Sequence, residues 1–232
     1  MQRVCAVVGA GTGNGKAFAR RFTRDGFRVA LLARDERRLR ALANEVPGSL
    51  AVPCDLTQAE SVRAAFQAIE RELGSVDTLI YNAGNFVRGG VEDTDAERLE
   101  DCFRVNAVGC LRAVQQVLPA MKKRSCGAIV VIGATASRRG SKGTLPFAAA
   151  KGGQRLMVEA MAKELSPQGI HVSYVVIDAV IDSLFMRTVF PCRSADGFAQ
   201  PEHIADALAQ LVGQPRSAWT FELDLRPHVE KW

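Results

Sequence analysis

Short apolar runs rich in β-branched residues recur along the chain, and amphipathic stretches of helical length lie between them. Residues 3–8 (RVCAVV) predict a strand that opens into a glycine-rich turn and then into the helical pattern KAFARRFTRDG. Residues 27–33 (FRVALLA) predict a second strand and 49–54 a third; a helix is expected from about 58 to 73 and another strand over 77–81. Regular alternation of this kind, with short turns, implies a parallel sheet covered on both faces by helices. The expected class is α/β, a doubly wound parallel β-sheet.

Length keeps this to one domain, residues 1–232, because no linker, low-complexity segment or internal repeat interrupts the alternation. The hydrophobic share of 47% and charged share of 24% are those of an ordinary globular chain, and no apolar run approaches a membrane span. The N-terminus, MQRVCAVVGAG, enters a strand without a cleavable signal pattern, so a cytoplasmic location is expected. The six cysteines are scattered, with neither a CxxC pair nor histidines at ligand spacing; reduced thiols and no metal site follow. A net charge of +5 raises nucleic acid as a partner, but Lys and Arg are interleaved with Asp and Glu rather than gathered with aromatics, so no nucleic-acid partner is expected.

The turn after the first strand reads Gly9-Ala10-Gly11-Thr12-Gly13-Asn14-Gly15. No register gives GxGxxG; the spacing that fits is GxxxGxG on Gly9, Gly13 and Gly15. Glycines at a helix N-terminus let backbone N–H groups approach a pyrophosphate, with the helix dipole adding positive potential. At the end of the second strand, where an acidic ribose-binding residue would favour NAD, stands Arg34, with Arg37 and Arg38 on the next turn. That charge favours a 2′-phosphate, so NADP(H) is expected in preference to NAD(H). The alternative for Arg34 to Arg40 is the solvated face of a helix that also carries Asp35 and Glu36.

Residues 127–151, GAIVVIGATASRRGSKGTLPFAAAK, run from strand through a small-residue and basic loop into a helix that places Lys151 four residues after Phe147, on one face. With GxxxGxG, Asp55 followed by Leu56, Asn82-Ala83-Gly84, Asn106 within RVNAVG, and Lys151, the chain resembles the short-chain dehydrogenase/reductase family over almost its whole length. The resemblance implies a single Rossmann-like domain. It implies a coenzyme site of Gly9, Gly11, Thr12, Gly13, Asn14 and Gly15, with Arg34, Asp55 and Leu56 towards the adenosine and Asn82, Ala83, Gly84 and Lys151 deeper in. It also implies a last helix after Gln200-Pro201-Glu202 running to Val212, a last strand over 218–225, and a substrate-covering segment at about 182–200.

The departures are as specific. Phe147 stands where the family has its catalytic tyrosine, Ala134 where it has its serine, and Ile177-Asp178 and Asp182 where Pro-Gly and a threonine meet the nicotinamide. Val8 precedes Gly9, Asn14 replaces a common isoleucine, and RPHVEKW ends the chain. The chain is similar to an atypical subgroup with Phe for Tyr beside a retained Lys. In the family's reaction a hydride moves between nicotinamide and a carbonyl or alcohol carbon while the tyrosine handles the proton, a service worth about 10² to 10⁴ in rate. One expectation is an NADP(H)-dependent oxidoreductase with a relocated proton donor: Thr135 and Ser137 as orienting hydroxyls, Asp178 or Asp182 as acid or base, and Lys151 acting directly or through a water chain from Asn106. Another is a catalytically inactive NADP(H)-binding sensor or partner subunit. A lyase or isomerase has no positive mark in the sequence.

Plainer roles stand beside these. Thr135 and Ser137 bond their own loop, Asp178 caps a helix, and Lys151 only holds a ribose. Arg138, Arg139 and Lys142 point to an anionic small-molecule substrate, or to a solvated loop. Phe185, Met186 and Phe190 line an apolar pocket or pack on the sheet, and Tyr81 and Tyr174 are expected within strands. A homodimer or homotetramer is implied by the resemblance, through helices around 99–121 and 145–165 and the last strand.

Overall fold

The computed structural model describes residues 2–230, so Lys231 and Trp232 of the RPHVEKW terminus lie outside the described residues. Strands β1 (Val4–Val8), β2 (Arg28–Ala33), β3 (Leu50–Pro53), β4 (Thr78–Tyr81), β5 (Gly127–Ile132), β6 (Ile170–Ile177) and β9 (Glu222–Leu225) form one parallel sheet in the order β3-β2-β1-β4-β5-β6-β9. Strand order reverses between β1 and β4, which leaves a crevice beyond the carboxyl ends of the strands.

Successive side chains on each strand serve opposite layers. Val4, Ala6 and Val8 pack with helices α3 (Ala59–Leu73), α5 (Gly109–Arg124) and α6 (Leu145–Leu165). Cys5 and Val7 pack with α1 (Asn14–Arg24), α2 (Glu36–Glu45) and α8 (Pro201–Val212). All five residues of β1 are buried, the near-continuous apolar signature of a strand covered on both faces. Two short parallel strands, β7 (Val180–Ile181) and β8 (Phe198–Ala199), bracket the small helix α7 (Leu184–Val189), which lies within the stretch 182–200.

The sequence pattern and the structure part company at two places. The last strand begins at Glu222 rather than at 218, because the Gln214 side chain accepts from Thr220 N at 2.8 Å and the Gln214 carbonyl from Trp219 Nε1 at 3.2 Å, holding the approach in a loop. The helical pattern around 99–121 is interrupted: α4 (Ala96–Phe103) passes through a π-helical turn, Arg104–Val108, before α5 begins. Tyr81 causes part of this, since its buried hydroxyl donates to the Val105 carbonyl and fills the space where a Cβ on Gly109 would fall, 2.8 Å away. Asn106 sits on that wider turn, a feature frequent at functional sites.

Candidate active site

The crevice is a cleft of about 1150 Å³ between the β1–α1 turn, the ends of β4 and β5, the first turns of α6, and the segment from β6 to α8. Gly9 enters the turn with φ +83°, and its amide donates to Leu32 O at 2.9 Å. A Cβ there would lie 2.4 Å from Ala83 N, and Asn82 Nδ2 donates to Gly9 O at 2.8 Å, so Asn82 and Ala83 fasten this turn to the end of β4. Gly15 is equally crowded, its Cβ position 2.7 Å from Ala10 Cα. Gly11 and Gly13 have nothing within 4 Å of theirs, and with Thr12, Asn14 and Gly15 they line the cleft.

A phosphate-bearing ligand fits this arrangement. The first turn of α1 has no side-chain cap and so leaves amide donors free, and the buried Asn14 Oδ1 on the cleft wall has no partner. Beyond the end of β2, Arg34 and Arg37 are exposed and form no ion pair among the described residues, whereas Arg38 pairs with Asp35 and Arg40 with Glu36. Asp55 accepts at one oxygen from Thr57 N at 2.9 Å and Thr57 Oγ1 at 2.8 Å. The Thr57 amide, its hydroxyl and the nearby Arg34 charge hold that carboxyl below its ordinary range. Leu56 is buried under the helices; neither it nor Asp55 nor Arg34 borders the cleft itself.

At the inner end, Lys151, Gly84, Ala134 and Phe147 line the cleft together. The Lys151 side chain is buried, and its Nζ donates to Ile132 O at 2.9 Å and Gln154 Oε1 at 3.0 Å. Burial lowers its pKa from 10.5 to about 8, while Cys110 and Cys102 act the other way. Phe147 keeps its ring 6.0 Å from Nζ and packs edge-on against Phe86 at 4.9 Å, so the position that would need a hydroxyl is occupied by hydrocarbon. Asn106 is fully buried; its Nδ2 donates to Asn85 O and Cys102 O, while Oδ1 has no partner and lies close to Gly84.

Between Asn106 and Lys151 stands a side chain that sequence reasoning missed. Gln154 donates through Nε2 to the Asn106 carbonyl and accepts the lysine's proton through Oε1, so an amide, not water, joins the two at this point. The signal was available: Gln154 interrupts a buried stripe that otherwise reads Ala150, Val158, Ala162, Leu165.

Thr135, Ser137 and Asp178 are placed behind the cleft rather than on its wall. Thr135 donates to Asp178, whose carboxylate also faces Arg139 and Arg226 at 3.4 Å each, and Ser137 donates to Ala134 O at 2.6 Å. This network ties the end of β6 to the loop after β5 and to the C-terminal segment. Asp182 does line the cleft, but Arg187 grips both its oxygens, at 2.7 and 2.8 Å, and holds the carboxyl below its ordinary range. Arg138 is likewise consumed by Glu222 and Asp224. The basic loop therefore brings no uncompensated arginine to the cleft, where Phe86, Ile181, Leu184, Phe185 and Met186 line the wall beside the Asp182–Arg187 pair.

Comparison with known proteins gives the same frame. A family model described as short chain dehydrogenase matches residues 3–188. A 3-oxoacyl-[acyl-carrier-protein] reductase of Bos taurus is 33% identical over 176 residues, spanning 75% of this chain and 74% of that protein. Carbonyl reductase family member 4 of Xenopus tropicalis is 28% identical over 219 residues, 93% of each. Among solved structures, an actinorhodin polyketide ketoreductase variant with NADPH superposes with TM-score 0.90 at 26% identity, covering 100% of this chain and 98% of that one. An alcohol dehydrogenase from the archaeon Thermococcus sibiricus complexed with 5-hydroxy-NADP gives 0.87 at 25% identity, covering 100% and 99%.

Proposed function

Because the chain belongs to the short-chain dehydrogenase family, we propose that it is an NADP(H)-dependent oxidoreductase that reduces the carbonyl of an apolar, aromatic-sized compound and uses Lys151 as proton donor. The observation that carries this reading is the Lys151 ammonium at the inner end of the cleft: two of its three N–H groups have fixed protein acceptors, and one remains for a ligand. A dinucleotide held by Gly11, Thr12, Gly13, Asn14 and Gly15 would supply a hydride to the carbonyl carbon. Lys151 would give the proton that the carbonyl oxygen then needs, and the neutral amine would regain a proton from solvent through the cleft. A pKa of about 8 suits the task, since a general acid works best when its pKa lies near the working pH. Thr135, Ser137 and Asp178 then hold the floor of the site in shape, and Asp182, ionised against Arg187, helps to seat the covering helix.

The preference for NADP(H) rests on Arg34 and Arg37, which are exposed and form no ion pair among the described residues, and agrees with two structural neighbours crystallised with NADPH and 5-hydroxy-NADP. Arg34→Ala is expected to weaken NADPH about tenfold, the value of one charge-assisted contact, and to leave NADH nearly unchanged. Fluorescence titration of both cofactors checks this. The substrate class rests on the wall of Phe86, Phe147, Leu184, Phe185 and Met186 and on the pairing of Arg138, Arg139 and Arg187 with carboxylates.

Restoring the family hydroxyls with Ala134→Ser and Phe147→Tyr is expected to raise the reduction rate about tenfold or more, within the span of general acid catalysis. Carbonyl-dependent NADPH oxidation measures it. No gain with cofactor binding intact means that the substrate pocket itself excludes the compounds tried. A homodimer or homotetramer in the cytoplasm completes the proposal; Val108 and Leu111 beside α5, with Leu145 and Leu156 on α6, are exposed apolar side chains on the helices concerned.

A further inference from the structure

We propose that Gln154 is the positioning residue of this site: it fixes the Lys151 ammonium and sets the pH range over which that group is charged. The inference rests on the role proposed for Lys151 but concerns a different residue and a different observable. Gln154 is fully buried, on a helix face whose other members are apolar apart from Lys151. An amide in such a place is costly unless its polar atoms are paired. Here its Oε1 accepts from Lys151 Nζ at 3.0 Å and from the Tyr174 hydroxyl at 3.3 Å, and its Nε2 donates to the Asn106 carbonyl.

Chemistry fixes the amide's orientation. An ammonium has only protons to give and a carbonyl only lone pairs, so the oxygen must face Lys151 and the nitrogen must face Asn106. The π-helical turn that carries Asn106 and the buried Tyr174 on β6 therefore aim one acceptor at the lysine from the side away from the cleft. Ile132 O supplies the second. The remaining N–H is left for the cleft, and an amide gives no ready route for a proton to leave through Asn106. Lys151 exchanges its proton on the cleft side.

Among the described residues no carboxylate acts on Lys151. The titratable groups around Lys151 are Cys102 on α4, Cys110 on α5 and Tyr174 on β6; Ile132, Gly84 and Phe147 contribute no charge. Burial raises Cys110 to about 12, and raises Cys102 and Tyr174 from their ordinary values, which favours the neutral form of each. A label on the lysine itself reads a change at position 154 directly on Lys151.

The test is an NMR pH titration of protein carrying ¹³C at lysine Cε, with the Lys151 signal identified by its absence in Lys151→Met. Gln154→Glu is close to isosteric and places an anion against the ammonium; it is expected to raise the Lys151 midpoint by about one unit or more, a tenfold change in proton affinity. Gln154→Leu removes the acceptor and is expected to lower the midpoint by about as much. Should the leucine variant fail to fold, the glutamate variant alone decides. NADPH affinity, measured in parallel at pH 7 and pH 9, should become less pH-dependent over this range in Gln154→Glu. Midpoints unchanged from wild type in a folded Gln154→Glu protein would overturn the assignment and leave the proposed reaction standing. Absence of NADPH binding by the wild type, with the midpoints shifted as expected, would sink the reaction and leave Gln154's hold on Lys151 intact.

Discussion

Lys151→Met is expected to reduce carbonyl-dependent NADPH oxidation by about 10² to 10⁴-fold, the usual worth of a general acid, while the protein still folds and binds NADPH. The loss should be in the catalytic step rather than in substrate affinity, because the missing proton is needed only as the carbonyl oxygen becomes an alkoxide. In the wild type the charged lysine is the donor, so reduction should be full below pH 8 and fall as pH rises through about 8, where the buried ammonium loses its proton. The variant should show no such limb. Stability carries the opposite sign. Below about pH 8 folded and unfolded chains both hold the Lys151 proton and the burial cost is fully present; between about 8 and 10.5 the unfolded chain binds more protons, and the wild type gains stability. Relative to Lys151→Met, that gain should be about 2 kcal/mol between pH 7 and pH 9.5 by denaturant titration.

Gly9→Ala should destabilise the fold by about 2–6 kcal/mol, combining a left-handed backbone with overlap against a neighbouring strand end. Its φ is +83°, and the new Cβ would lie 2.4 Å from Ala83 N and 2.5 Å from Ala83 Cα, backbone atoms that cannot step aside. Loss of that magnitude takes a large part of the margin of an ordinary domain, so the soluble yield and the melting temperature should both fall. Gly13→Ala is the control with the opposite phenotype. Nothing lies within 4 Å of its Cβ position, so the fold should survive, and the methyl group should instead occupy space on the cleft wall and weaken NADPH. Thermal unfolding and cofactor titration of the two variants separate a glycine needed by the chain from one needed by the ligand.

The same contrast explains what could be read from the sequence. Strand and helix alternation is a local pattern, and β1, β2, β3 and β4 lie within a residue of where their apolar runs predict. The glycine spacing forecast a turn, and the turn is there. What escaped are features that depend on partners distant in the chain. The π-helical turn at Asn106 owes its place partly to Tyr81, whose hydroxyl reaches Val105 across 24 positions. Gln154 carries no sequence motif, and only the fold sets it between Asn106, 48 positions away, and Lys151. Thr135 and Asp178 carried the right chemistry, yet 43 positions of intervening chain fold so that they bond each other behind the cleft. Arg138 and Arg139 read as a basic loop only because Glu222, Asp224 and Asp178 lie far away in sequence. Spacing shows which groups share a helix face; it does not show which charges have already been answered from elsewhere.

Single-turnover oxidation of bound NADPH by a panel of apolar aromatic ketones and quinones, followed from pH 6 to pH 10 in the wild type and in Lys151→Met, tests the central claim most directly. NADPH should be consumed by the wild type at a rate that falls through about pH 8, with the variant slower by about two orders of magnitude or more at neutral pH. Tight NADPH binding with no oxidation at any pH, or equal rates in the two proteins, would contradict a reductase that draws its proton from Lys151.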